Sequence, residues 1–150
     1  MEIKRILKND KELIKQCDLL FLEFLKSEES YDINVEIPNK TKSFLNDVTD
    51  EEKMIIVAVD KNKVNGFLYA YIDNKKTYKS QVAHLSFIFV EENERQRGIA
   101  SSLIEEFLKI VKERKIKFVE VNCFEKNEAA RKLYKKYGFE VLWLGCRKEL

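Results

Sequence analysis

Apolar positions change rhythm several times along the chain, and each change marks an element. Glu2–Leu7 alternates weakly, as a short first strand does. Leu13, Cys17, Leu20, Phe21, Phe24 and Leu25 then recur at helical spacing, after an Asn9–Glu12 capping box. This helix should end near Ser27–Ser30. Glu28–Ile37 is polar and acidic and reads as a surface loop. Pro38 is placed to open a second helix with Phe44, Leu45 and Val48 on its apolar side. Met54–Val59 and Val64–Ile72 are apolar runs joined by Asp60-Lys61-Asn62-Lys63, which predicts a hairpin. Asp73–Lys79 is another turn. Gln81–Val90 is apolar on both faces, the pattern of a central strand. Ile99, Leu103, Phe107 and Val111 step by four, so a helix runs to about Arg114. Lys117–Cys123 is a strand. Glu128–Tyr137 is a helix, with Asn127 as its N-cap and Gly138 just past its end. Phe139 onward is a last strand. The order βααβββαβαβ predicts an α+β fold, a mixed sheet with helices on both faces.

Composition narrows the class. The 150 residues fit one domain, 1–150, without repeat or linker. Average usage gives about eighteen Gly and Pro together; this chain has four and one. A formal net charge of +2 is no footprint for a nucleic-acid duplex. The longest uncharged stretch, Ser80–Val90, is too short to cross a bilayer, and MEIKRILKND lacks the apolar core of a signal peptide. Cys17, Cys123 and Cys146 are distant and odd in number, with no zinc spacing. These features point to a reduced, cytoplasmic setting with neither metal nor membrane. The sequon Asn39-Lys40-Thr41 then carries no weight.

The strongest chemical signal is the passage Val90–Ser101, from a central strand through a polar turn into a helix start. A helix N-terminus offers unpaired N–H groups and about half a positive charge, a cradle for a pyrophosphate. Gly98 and Ala100 remove side-chain bulk there, and Arg95 and Arg97 are cationic donors that match phosphate. An ordinary helix start with surface arginines would carry the same residues. The passage has neither the P-loop order nor GxGxxG.

Arg95-x-x-Gly98-x-Ala100 matches the (Arg/Gln)-x-x-Gly-x-(Gly/Ala) signature of the GNAT N-acetyltransferase superfamily. Asn127-x-x-Ala130-x-x-x-Tyr134-x-x-x-Gly138-Phe139 resembles a second family segment at the expected distance. The resemblance covers Val82–Leu150 by motif and the first half by element order. It implies a central, mostly antiparallel sheet of six to seven strands with about four helices. It implies acetyl-coenzyme A as acyl donor and an amine as acceptor, by direct transfer in a ternary complex. Backbone amides of Gln96, Arg97, Gly98, Ile99, Ala100 and Ser101 would hold the pyrophosphate, with Arg95 and Arg97 assisting. Backbone groups of Ile88, Phe89 and Val90 would pair with the pantetheine arm, and Asn127 would contact it. Arg131 or Lys132 would reach the 3′-phosphate, although a solvated helix face explains them better. Tyr134 matches the general acid that protonates or hydrogen-bonds the leaving thiolate.

His84, the one histidine, matches a position where some members carry a basic residue, and it is the candidate base. Alternation places it on one strand face with Ser86, where other members have a glutamate. Glu120 is the lesser candidate. Cys123 leaves a covalent intermediate formally open. Glu28, Glu29, Asp32 and Glu36, with Tyr31, form an acidic loop suited to a cationic amine, or simply a solvated one. Eleven residues follow Phe139, too few for two long strands and a hairpin, so either one long strand closes the sheet or a neighbour lends one in a homodimer. The acceptor stays open between a small molecule and a peptide. A non-catalytic acyl-coenzyme A-binding module of the same fold is the alternative reading.

Overall fold

The computed structural model of the chain describes residues 1–39, 42–74 and 79–150. Five strands form one sheet: β1 (Glu2–Arg5), β2 (Lys53–Asp60), β3 (Lys63–Asp73), β4 (Val82–Val90) and β5 (Phe118–Val121), in that spatial order. The first four are antiparallel; β4 and β5 are parallel. Three helices complete the fold: α1 (Lys11–Glu28), α2 (Ile99–Glu113) and α3 (Glu128–Lys136). The β2–β3 hairpin turns at Lys61 and Asn62, both at positive φ, as a tight two-residue hairpin loop requires.

Period-two alternation sorts the strands into two cores. Ile55, Val57 and Val59 of β2 and Phe67 and Tyr69 of β3 pack under Leu13, Ile14, Cys17 and Leu20 of α1. Met54, Ile56, Ala58, Leu68, Ala70 and Ile72 face the other way, onto Leu103, Ile104, Phe107 and Val111 of α2 and Tyr134 of α3. Helices cover both faces, as the pattern predicts. At about 1.5–3 kcal/mol for each fully buried large aliphatic or aromatic side chain, these two layers dominate the folding energy.

Three expectations are corrected. The second helix is absent among the described residues. A single 3₁₀ turn, Asp47–Thr49, stands in its place. Tertiary partners satisfy this segment instead: the Phe44 N–H donates to Asp18 Oδ1 (2.8 Å), Lys53 Nζ meets Asp47 Oδ1 (2.8 Å), and Phe44 is fully buried. The last strand is also absent; residues 139–150 have no regular structure, so five strands replace the expected six or seven. Asp10 rather than Asn9 precedes α1, and its carboxylate accepts from the Leu7 N–H (2.8 Å), so no side chain caps the helix. The Asp73–Lys79 turn and the sequon fall partly outside the described residues.

Gly66 is a packing requirement. It pairs with Val90, and a Cβ there would meet the Phe89 carbonyl at 2.9 Å and side chains of Ile99 and Val90 at 3.2 Å. Gly66 therefore lets β3 approach the end of β4 where α2 begins. Gly66→Ala should lower thermal stability by about 1–3 kcal/mol, the usual cost of overpacking. Thermal denaturation checks this; an unchanged midpoint would remove the close-approach role.

Candidate active site

One irregularity in β4 shapes the site. Tyr69 pairs with Phe87 and Ala70 with Leu85, so Ser86 has no register partner. Leu85 consequently packs on the α2 side and Phe87 on the α1 side, although they are two residues apart. A bulge of this kind bends its strand. Pairing with β5 stops at Leu85 opposite Val121, the residue before the bulge. Beyond it, Phe87–Val90 remains paired with β3, but its other edge faces no strand among the described residues. A wedge-shaped gap with a free strand edge results. The bulge also breaks the alternation that would put His84 and Ser86 on one face.

The chain leaves the gap through a 3₁₀ turn, Glu92–Glu94, into α2. Three contacts fix this passage. The Glu91 N–H donates to the Asn65 carbonyl (2.9 Å), Arg95 Nε donates to the Val90 carbonyl (3.1 Å), and the Arg95 guanidinium lies 5.7 Å from the Phe89 ring. Arg95 thus clamps the loop shut. Gln96 (φ 62°) and Gly98 (φ 78°) are both left-handed. Left-handed residues interleaved in a turn swing successive N–H groups toward a common centre, an anion-binding concavity. No side chain caps α2 at Gly98, so its first-turn N–H groups remain open to a ligand. Arg97 is exposed and paired with Glu94.

Helix α3 docks onto this helix start. Lys136 Nζ donates to Ser101 Oγ (3.1 Å), and the Tyr137 hydroxyl meets Glu105 Oε1 (2.6 Å). Lys136 therefore adds a cation at the first turn of α2, a role its sequence position, simply the last turn of a helix, does not announce. Asn127 Oδ1 accepts from the Ala130 N–H (3.0 Å), a helix cap, and Arg131 folds back onto Glu125 (3.1 Å). Those contacts leave both residues at the surface of α3.

Tyr134 is 7% exposed and belongs to the same buried cluster as Val90 and Ile99, the residues that flank the loop. Its ring meets Phe139 edge-on at 5.7 Å. Its hydroxyl makes no hydrogen bond among the described residues. Burial first, and then the negative potential of Cys123 and Glu28, push its pKa above the ordinary tyrosine value. It stays protonated and can donate.

Glu28 is an acidic group whose charge is felt at Tyr134. It ends α1, half-buried, and burial raises its pKa above the usual carboxylate range. In the loop that follows, Tyr31 stacks on Phe124, beyond the end of β5, at 5.8 Å, and Asp32 is held by Arg147 at 2.6 Å. The sequence places Glu28 in an acidic loop with Glu29, Asp32 and Glu36. The fold singles it out, because its charge reaches both Tyr134 and Cys123.

His84 lies in the closed part of the wedge, in register with Glu120. Its Nδ1 is 3.6 Å from Glu120 Oε2, its Nε2 is 3.8 Å from Asp73 Oδ2, and it stacks on Tyr71 at 5.0 Å. Among the described residues no cluster of His, Cys, Asp and Glu has the form of a metal site, and no helix is long and apolar enough to cross a membrane.

Comparisons with known proteins bear on the family and the fold. The model of the acetyltransferase (GNAT) family matches residues 16–139. No curated protein sequence matches significantly. The fold matches a tetramutant of the BH1408 protein from Bacillus halodurans, with TM-score 0.84, 18% identity and full coverage of both chains. It also matches aminoglycoside acetyltransferase meta-AAC0020 from an uncultured soil metagenomic sample, with TM-score 0.78, 21% identity and coverage of 99% and 95%. A third match is aminoglycoside N-acetyltransferase AAC(6′)-Iy in complex with CoA, with TM-score 0.70, 20% identity and coverage of 99% and 100%. These likenesses are of fold. The chain belongs to the acetyltransferase (GNAT) family. It is accordingly an acyltransferase, an acetyl-coenzyme A-dependent N-acetyltransferase.

Proposed function

We propose that the protein acetylates a primary amine of a small molecule or peptide by direct attack within a ternary complex. The observation that carries this is the meeting, at one end of the sheet, of a free β4 edge, an uncapped α2 N-terminus and the buried Tyr134. The residues fit the coenzyme. Amides from Gln96 to Ser101 would hold its pyrophosphate, with Arg97 and Lys136 supplying charge. The Ile88–Val90 edge would take the pantetheine arm as an added strand, with Asn127 beside it and Arg131 toward the 3′-phosphate. When bound, the thioester supplies the activated acetyl group.

Tyr134 donates to the departing sulfur. A thiolate with a cysteine-like pKa near 8.5 is a weaker base than tyrosinate, near 10. The hydroxyl therefore acts chiefly as a strong hydrogen-bond donor. Glu28 holds the ammonium of the acceptor. Raised by burial, its titration lies above the ordinary carboxylate range; below that pH the carboxylate is neutral and the attraction is lost. Glu28→Gln should raise the acceptor KM about tenfold, a loss of roughly 1.4 kcal/mol, and flatten the acidic rise in KM. Acetyl-coenzyme A KM should stay constant. An unchanged acceptor KM would remove Glu28 from recognition.

The amine must lose a proton, since at an alkylamine pKa near 10.4 only about one molecule in a thousand is neutral at pH 7. His84 receives that proton through water, and Asp73 and Glu120 flank its ring. His84→Ala should lower kcat about 10²-fold and displace the acidic limb of the pH–rate profile. An unmoved limb would exclude it as the base. The reading as a whole is tested by thiol release from acetyl-coenzyme A against phenethylamine, spermidine, kanamycin and short peptides with free amino termini. Release with one acceptor class supports it. Tight coenzyme binding without release across the panel would overturn it in favour of a binding module.

A further inference from the structure

Aromatic rings of α1, β3 and β4 form one continuous cluster on the α1 side of the sheet, along the half of β4 whose edge is free. Phe44, Phe67 and Tyr69 are buried at its base. Phe21 and Phe87 rest on this base, 5.5 Å from Phe44 and 4.9 Å from Tyr69 respectively. Phe24 and Phe89 extend it: Phe24 stacks on Phe87 at 5.3 Å and meets Phe89 edge-on at 6.3 Å. These last four rings stay partly open to solvent. A half-open patch of rings is apolar area that a ligand can cover.

Charge gives the patch a direction. On the Phe44–Tyr69 side a cation is already in place, with Lys42 Nζ 5.0 Å from the Phe44 ring and 4.7 Å from the Tyr69 ring. Its pairing with Asp47 at 3.0 Å holds it there. On the Phe24 side stands Glu28, four residues further along α1, so the two share a helix face about 6 Å apart along the axis. Glu28 is half-buried, and among the described residues its carboxylate makes no ion pair. The other acids of the stretch are placed differently: Asp32 is neutralised by Arg147, and Glu29 and Glu36 are exposed.

We infer that the acceptor is an arylalkylamine, with its single ammonium on Glu28 and its ring on Phe24, Phe87 and Phe89. This rests on acetyl transfer as proposed above, which brings the amine to Tyr134. Aromatic rings prefer offset-stacked and edge-to-face neighbours, and the open rings offer both. A short alkyl tether bridges the one helical turn between Phe24 and Glu28. A polycation such as an aminoglycoside would have to desolvate further ammonium groups against these rings, with Lys42 as a like charge beyond. Phe24 is then the residue that sets acceptor preference.

The test compares phenethylamine with ethylamine, which has the ammonium and lacks the ring. Both are measured by thiol release from acetyl-coenzyme A and by calorimetric titration into protein saturated with coenzyme A. Phenethylamine should lead by at least about tenfold in kcat/KM and in affinity, as burial of a ring provides. F24A should cut that lead about fivefold. F24L, which keeps apolar bulk without a ring, should lower it too, and F24Y, which keeps the ring, should hold it. Equal values for the two amines, a lead for kanamycin or spermidine over phenethylamine, or a lead indifferent to F24A and F24L would each overturn the inference. Phenethylamine binding that depends on Phe24, without thiol release from any acceptor, would uphold it and remove the catalytic reading. Thiol release with another acceptor and no phenethylamine binding would do the reverse.

Discussion

Tyr134→Phe is expected to lower kcat by about 10²-fold, the lower end of what a positioned acid contributes, with acetyl-coenzyme A KM within about twofold. That loss corresponds to roughly 2.7 kcal/mol of barrier. The structure separates this outcome from a structural one. The ring packs against Phe139 and fills its cluster, and phenylalanine keeps both roles. The hydroxyl has no hydrogen bond to lose among the described residues, so its removal leaves nothing buried and unsatisfied. Thermal stability should therefore hold or rise while turnover falls. Steady-state kinetics with thermal denaturation on the same variant check it. Full turnover would remove Tyr134 from the chemistry; equal loss of stability and turnover would make it a core residue.

The second large effect is at Gly98. Its φ of 78° is left-handed, and a Cβ there would meet nothing within 4 Å. Steric clash is therefore not the obstacle; backbone strain is. An L-residue pays about 1–2 kcal/mol in this region, and a β-branched one is a genuine outlier there. Gly98→Val has two ways to respond. It keeps the loop and loses that much stability, or it relaxes φ and swings the N–H groups of the cradle apart. The N-terminus of α2 has no side-chain cap to restore it. Acetyl-coenzyme A affinity should fall about 10–100-fold, or roughly 1.4–2.7 kcal/mol, by calorimetric titration. Undiminished affinity would mean the coenzyme phosphates do not rest on this turn.

Much of this site was legible in the sequence because its chemistry is local. The passage Val90–Ser101 and the Asn127–Phe139 segment are each one short continuous stretch of chain, where spacing largely decides who meets whom. Long-range features were not legible. Nothing in the apolar run Ala83–Val90 marks Ser86 as a bulge, since no glycine or proline signals it; it exists because β4 must serve β3 throughout and β5 only in part. That break also undid the alternation argument joining His84 to Ser86. Glu28 is one of four acids in its stretch by sequence, and only the fold distinguishes it, by half-burying it and bringing its charge near Tyr134 and Cys123. The helix expected after Pro38 failed because Phe44 and Asp47 found tertiary partners stronger than helical periodicity. The strand expected after Phe139 is absent because that segment is held by side-chain contacts and not by strand pairing, with Phe139 against Tyr134 and Arg147 on Asp32.

The central claim is that the acetyl donor lies in the β4–β5 gap with its phosphates on the start of α2. Amide chemical-shift mapping during a coenzyme A titration tests it most directly. The largest perturbations should fall on Ile88–Val90 and Gln96–Ser101, with little change along β1 and β2. Perturbations confined to the groove beside Leu108 and Val119, or none at saturating ligand, would contradict it.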